Sequence, residues 1–323
     1  MRTITDPWYL TVTDEERATL SALAGELAQT GSGQVDDDAW VASARALSCR
    51  VPVRLRETLR QYRHDPGDEG VLLIRGLPVT AGSLPPTPSV RCSVERTATT
   101  AAGLIALISL QLGELISYQN EKAGALIHNV VPVCGEEREQ SNAGSVALEL
   151  HTENAFHPCR PDFVVLFCLR SDHQNLAGLM VAPGRRALAL LPGEVRSVLY
   201  EPRFVTVPPP SFGTSEDAKT VHPVLTGATD DPTVRLDFHA THPLDDEAEL
   251  GMASLREALA SVAAPVHLRP GDLAVLDNRV TLHGRTPFTP RYDGQDRWLH
   301  RAFVQLDYRR SGGLRPTDGH VLR

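Results

Sequence analysis

Apolar residues recur at helical spacing through the first third of this chain and at strand spacing through most of the rest. Thr13-Asp14-Glu15-Glu16 has the form of a capping box, with a hydroxyl for the free amides and acidic charge at the positive helix end. The helix it opens is expected to run to about residue 29, with Leu20, Leu23 and Leu27 on one face. Asp36-Asp37-Asp38 opens a second helix, and Pro52 stands where a third begins, reaching about residue 64. Gly70 and Gly76 bound the apolar run Val71-Leu72-Leu73-Ile74, which reads as a buried strand. Four prolines between residues 78 and 89 exclude regular structure there. A long apolar helix is expected over 97–115.

Beyond that helix the pattern changes. Short apolar or alternating runs occupy 115–119, 125–133, 145–152, 162–169, 178–182, 203–207, 233–238, 266–268, 273–277, 281–283 and 298–307, split by Gly, Pro and Asp. Runs of this length and spacing predict a β-sandwich or barrel. Two helices, over 185–200 and 245–262, interrupt it. The polar stretch 208–217 reads equally as a binding loop or as plain surface, and the basic tail 309–323 as loosely held.

Composition narrows the function classes. The 323 residues are 41% hydrophobic and 22% charged, ordinary for a globular protein, and the net charge of −8 favours neither nucleic acid nor an anionic membrane as partner. Five cysteines, an odd number without CxxC spacing, argue against a disulfide framework and a zinc ribbon. Residues 1–6 lack the apolar core of a signal peptide, and the 101–116 stretch is too short and polar to span a bilayer, so a cytoplasmic location is expected. Lys122 and Lys219 are the two lysines, so an Arg in this chain is not informative by identity alone.

The chemistry concentrates in two places. In the strand-like run that ends Leu150-His151-Thr152-Glu153, His151 and Glu153 project to one side. His283 ends a second such run. Two imidazoles and one carboxylate on one side of a metal, with the other positions open, form the facial triad of non-haem Fe(II) oxygenases. HxE alone is a weak signal. Arg297, fourteen residues beyond His283, strengthens it. Asp293-Gly294 signals a hairpin, so the strand carrying Arg297 is expected to pair with the strand carrying His283. An Arg so placed can hold the remote carboxylate of a dicarboxylic co-substrate through two hydrogen bonds.

The blocks Glu149-Leu150-His151-Thr152-Glu153-Asn154-Ala155-Phe156-His157-Pro158 and Leu276-Asp277-Asn278, His283-Gly284-Arg285, Asp293-Gly294-Gln295-Asp296-Arg297-Trp298-Leu299-His300-Arg301 resemble the clavaminate synthase-like 2-oxoglutarate oxygenases, in the branch that hydroxylates asparagine, arginine and lysine. The resemblance covers 117–307. It implies a double-stranded β-helix, or jelly-roll, core over 115–308 with helical insertions, buttressed by a mostly helical region 1–114, in one domain with a tail over 309–323. It implies Fe(II) on His151, Glu153 and His283, 2-oxoglutarate on Arg297, and O2 as oxidant. Arg301 matches the residue that grips the substrate α-carboxylate, and Asp237 one that meets the substrate side chain. Gln119, Glu121 and Asn142 fall near positions that meet the α-amino group or shape the pocket, and His239 is a further pocket candidate. His239 stands where arginine hydroxylases carry a second Asp, and Leu179-Met180 where a co-substrate-holding Thr is expected.

The activity so implied is hydroxylation of an unactivated carbon of a free L-amino acid, with lysine, pipecolate, citrulline and arginine-like side chains all open, giving succinate and CO2. Glu153 argues against halogenation, which needs that carboxylate to be missing. Desaturation, ring closure or a carrier-bound aminoacyl substrate keeps the same fold and metal, the carrier being the less favoured. A zinc hydrolase would also use His and Glu, but it leaves Arg297 and Arg301 unexplained.

Overall fold

The computed structural model describes residues 8–79, 82, 84–212, 220–315 and 319–323. Residues 1–6, Lys219, half of the 208–217 stretch (213–217) and part of the tail (316–318) therefore lie outside the described residues. Three helices open the chain, Asp14–Ala28, Asp38–Ser48 and Val53–His64, and a fourth, Thr100–Ser109, packs against the first. The capping box is formed: Glu16 N–H donates to Thr13 Oγ1 at 3.2 Å, and Thr13 N–H to Glu16 Oε2 at 2.8 Å. Asp37 caps the second helix through the amide of Ala39.

Among the described residues the main sheet has eight strands. Its order is Trp8–Thr11, Val71–Arg75, Leu273–Asp277, Phe163–Arg170, Trp298–Gln305, Glu114–Tyr118 and Val321–Leu322, with His128–Val130 also pairing with Trp298–Gln305. A second sheet runs Ala264–Val266, Leu179–Pro183, Thr281–Arg285 and Leu148–His151. The central strand Phe163–Arg170 shows why its sequence is apolar without alternation. Phe163, Val165, Phe167 and Leu169 pack on the helices, while Val164, Leu166 and Cys168 pack toward the second sheet with Leu179 and Val181. Burial of each such side chain contributes roughly 1.5–3 kcal/mol. This is a jelly-roll with one sheet buttressed by helices, and the cavity between the sheets carries the site.

Several expectations need correction. The helix expected over 97–115 is Thr100–Ser109, and the chain is already in the strand Glu114–Tyr118 before residue 115. The tail expected to be loosely held forms a 3-10 helix, Tyr308–Leu314, and the strand Val321–Leu322, which pairs with Glu114–Tyr118. The strand Trp298–Gln305 does not pair with Thr281–Arg285 but lies in the facing sheet, between Phe163–Arg170 and Glu114–Tyr118. Pro287 and Pro290 remove ladder donors after His283, and the Asp296 carboxylate closes the turn locally by accepting from the amides of Arg291 and Tyr292. The helix expected over 185–200 is two short ones, Gly184–Leu188 and Gly193–Leu199, parted at Pro192.

His300, on the side of its strand facing the helices, has no hydrogen-bond partner at either ring nitrogen among the described residues, the Glu95 carboxylate standing 4.0 Å from Nε2, and burial pushes its pKa down to about 3. Burial also holds His222 at about 4. Both fold neutral, whereas an unfolded His titrates near about 6.5. Below that value the unfolded chain binds more protons, so stability falls as pH drops from about 6.5 to about 4 and is flat above about 7. Urea melts across that range are expected to show the midpoint falling with pH; a constant midpoint contradicts neutral burial.

Candidate active site

His151 ends the strand Leu148–His151 and faces His283 directly in the antiparallel register, with ring centroids 4.4 Å apart. The approach depends on Gly284. A Cβ there would lie 2.4 Å from the Leu148 carbonyl oxygen, where the ladder shifts register. Gly284→Ala is therefore expected to push the His151 strand away and weaken metal binding roughly 10–100-fold in a titration of metal-free protein. Unchanged affinity would show that the close approach is dispensable.

Glu153 lies two residues past the strand end, its backbone clamped by Asn278. Asn278 Oδ1 accepts from Glu153 N–H at 2.7 Å, and Asn278 Nδ2 donates to Glu153 O at 3.2 Å. One ligand atom from each of His151, Glu153 and His283 can be chosen so that all lie within 4.8 Å of one another. His151 Nδ1 stands 2.9 Å from the Glu149 carbonyl oxygen, so it carries the proton and leaves Nε2 bare. Burial, with His151 adding to it, pushes His283 down to about 4, so this imidazole is neutral. Burial alone would raise the Glu153 carboxyl, but the Arg301 guanidinium and the two imidazoles reverse this and hold it well below the usual range. Glu153 Oε2 and His283 Nδ1 are buried without hydrogen-bond partners among the described residues. Two imidazoles and an ionised carboxylate converging in one buried place, with a carboxylate oxygen left unsatisfied, fit a divalent cation. His173, Asp293 and Asp296 also cluster, but the Asp296 oxygens are already spent on the turn amides.

Arg297 lines the same cavity as the three groups, together with Leu166, Leu179 and Leu299. It is 6% exposed, and among the described residues its guanidinium has no ion pair or hydrogen bond; the Phe288 ring lies 5.9 Å away. Burial lowers its pKa. The Asp172 carboxylate offsets this only through space, and a buried cation without a directly bonded counter-charge costs several kcal/mol, so this group is built for an anion.

Arg301, four residues on and facing the same cavity, is paired. Its Nη1 donates to Glu153 Oε1 at 2.8 Å, and its Nη2 to Glu121 Oε1 at 2.5 Å and to His128 Nδ1 at 2.8 Å. With the Asn142 amide turned so that its oxygen faces the guanidinium, that oxygen lies 3.1 Å from both Nη atoms. Asn154, at φ 51°, donates to Glu121 Oε2 at 3.2 Å. Burial raises the Glu121 carboxyl, and Arg301 partly offsets it. Asp237 bridges to His151 across a single backbone pair. Its Oδ1 accepts from the amides of His239 and Ala240 at 2.8 and 3.3 Å.

Gln119 and His239 are not brought into this group. Gln119 is exposed where the chain leaves its parallel pair with Val321–Leu322, and His239 is exposed on the turn that Asp237 caps. Conversely, sequence reasoning gave no role to Asn278 or His128. Asn278 adjoins the quoted motif, but a clamp on a residue 125 positions away has no local signal. His128 lies in an apolar run with nothing to mark it as the acceptor for Arg301.

A family model, taurine catabolism dioxygenase TauD/TfdA, matches residues 43–303. The chain belongs to that family. Within the TauD/TfdA family it is similar to the L-asparagine oxygenase of Streptomyces coelicolor, 45% identical over 313 residues, covering 97% of this chain and 94% of the relative. Clavaminate synthase 2 of Streptomyces clavuligerus is 35% identical over 308 residues, covering 94% of each chain. A crystal structure of asparagine oxygenase in complex with Fe(II), 2S,3S-3-hydroxyasparagine and succinate superimposes with TM-score 0.94 at 45% identity, covering 98% of this chain and 99% of that one. This TauD/TfdA chain is a non-haem iron, 2-oxoglutarate-dependent dioxygenase of the clavaminate synthase-like, amino-acid-oxidising branch. No helix among the described residues is long and apolar enough to cross a membrane.

Proposed function

We propose that this enzyme hydroxylates an unactivated carbon of a free L-amino acid, using His151, Glu153 and His283 to hold Fe(II) and Arg297 to hold the far carboxylate of 2-oxoglutarate. The observation that carries this reading is the buried Arg297 guanidinium, unpaired among the described residues, which faces the same cavity as the three ligands. When bound, the metal and co-substrate supply the oxidising chemistry: 2-oxoglutarate and O2 become succinate and CO2, and one oxygen atom enters a substrate C–H bond.

The chain's own residues orient the reactants. Arg301 takes the α-carboxylate, with Asn142 above it, and Glu121 accepts from the α-ammonium. The Glu149 carbonyl keeps the His151 proton on Nδ1, leaving Nε2 for the metal. Leu166, Leu179 and Leu299 keep the co-substrate end dry, which strengthens the charge pair with Arg297. Asp237, held beside His151, meets the substrate side chain. The relatives include asparagine, lysine and ornithine/arginine hydroxylases, so a polar amino acid, with asparagine first, heads the candidates.

The test is mass spectrometry of the enzyme with Fe(II), 2-oxoglutarate and a panel of free amino acids. The expected result is substrate-dependent succinate matched by a product one oxygen atom heavier. A product lighter by two hydrogens would replace hydroxylation with desaturation or ring closure. Succinate that no free amino acid stimulates would overturn the free-substrate reading.

A further inference from the structure

The segment bearing Asp237 is held from two sides. On one, Thr152 N–H donates to the Leu236 carbonyl at 2.7 Å, and Leu236 N–H donates to Thr152 Oγ1 at 3.1 Å. On the other lies a chain of polar side chains that the mechanism above does not use. Asp237 N–H donates to Thr241 Oγ1 at 3.0 Å, Thr241 Oγ1 lies 2.8 Å from Thr206 Oγ1, and Thr206 Oγ1 lies 2.8 Å from His222 Nε2. His222 Nδ1 lies 2.9 Å from the Pro223 carbonyl oxygen.

The directions of these bonds follow from their ends. A carbonyl only accepts, so His222 Nδ1 carries the proton and Nε2 is the acceptor in the neutral ring. Thr206 must then donate to His222 and accept from Thr241, and Thr241 in turn accepts from the Asp237 amide. Every donor in the chain has an acceptor, and all bonds point one way, from Asp237 to Pro223. Thr206, Thr241 and His222 are 3%, 2% and 3% exposed. They sit on three short paired strands, Phe204–Thr206, Val221–His222 and Thr241–Pro243, with Thr241 directly opposite Thr206. A valine would fill either threonine site equally well, so packing alone does not call for hydroxyls there. Aligned hydrogen bonds out of reach of water reinforce one another and fix their end groups.

We propose that Thr241, Thr206 and His222 are positioning residues that hold Asp237 beside His151, and so set which side chain the enzyme accepts. This rests on Asp237 being the residue that meets the substrate side chain. Thr241→Val keeps the shape and removes the acceptor of the Asp237 amide. Thr241→Ser keeps the hydroxyl, and Thr206→Val breaks the chain one step further away.

The experiment has two arms on the full-length protein. The first follows hydrogen exchange of the Asp237 amide by NMR, with no substrate present. Thr241→Val is expected to speed exchange about tenfold or more, Thr206→Val less, and Thr241→Ser to restore protection. The second arm measures steady-state kinetics. Thr241→Val is expected to raise KM for the amino acid about tenfold while KM for 2-oxoglutarate stays within about twofold, with Thr241→Ser close to the parent. Unchanged exchange in Thr241→Val overturns the proposal, as does an equal rise in both KM values or a serine variant that behaves like valine. If the parent enzyme turns over no free amino acid, it is the functional reading that fails, and the exchange arm still decides whether the relay holds Asp237.

Discussion

Arg297→Met is expected to remove 2-oxoglutarate-dependent turnover and, in the same protein, to raise resistance to unfolding. The two effects share one cause. Arg297 is buried, and among the described residues its guanidinium forms no ion pair or hydrogen bond, the Asp172 carboxylate acting on it only through space. Truncating one member of a buried charge pair costs roughly 2–5 kcal/mol of binding, so KM for 2-oxoglutarate should rise about 10²-fold or more. Without the co-substrate the same cation is a liability, and replacing a buried charge by an apolar side chain of similar volume stabilises a fold by roughly 1–4 kcal/mol. Thermal melts of the metal-free protein should therefore show the variant above the parent, while saturating 2-oxoglutarate should raise the parent's melting point and leave the variant's unchanged. A variant that melts lower in the absence of ligand would mean that Arg297 is structurally paired, and the site would lose its main argument.

Glu153→Ala is expected to have the larger effect on chemistry. It removes the one anionic member of the triad and deprives Arg301 of its partner at 2.8 Å. Bound Fe(II) should be lost on dialysis, and substrate-dependent succinate should fall by roughly 10³-fold or more, since groups acting as one unit fail together. Glu153→Gln keeps the shape and one oxygen but not the charge, and should recover little of either. An alanine variant that retains stoichiometric iron and measurable coupled turnover would remove Glu153 from the ligand set.

That His151, Glu153 and His283 gather was legible from local signals, two candidate ligands two residues apart at a strand end and a distal histidine in another strand-like run, although Glu153 lies past the strand end and is held there by Asn278 rather than by the ladder. The helical buttress was legible for the same reason, down to the Thr13 capping box. What failed depended on non-local pairing. Asp293-Gly294 is a good turn signal, yet nothing local states that its two flanks enter opposite sheets, with Pro287 and Pro290 barring the simple hairpin. Gln119 and His239 carry suitable chemistry at plausible positions, but a strand exit and a turn tip place them on the surface. Asn278, His128 and the Thr241–Thr206–His222 chain act through contacts between segments far apart in sequence, which periodicity does not encode.

In the proposed reaction this cavity couples 2-oxoglutarate decarboxylation to oxygen insertion into an amino acid. The measurement that tests it most directly is a reaction under heavy-isotope dioxygen with Fe(II), 2-oxoglutarate and the most strongly turned-over amino acid, read by mass spectrometry for both products. One heavy oxygen atom is expected in succinate and one in the hydroxylated amino acid, in equal yield, with both absent from Glu153→Ala. A product formed without 2-oxoglutarate, or lacking the heavy isotope while succinate carries it from the start, would contradict direct oxygen transfer at this site.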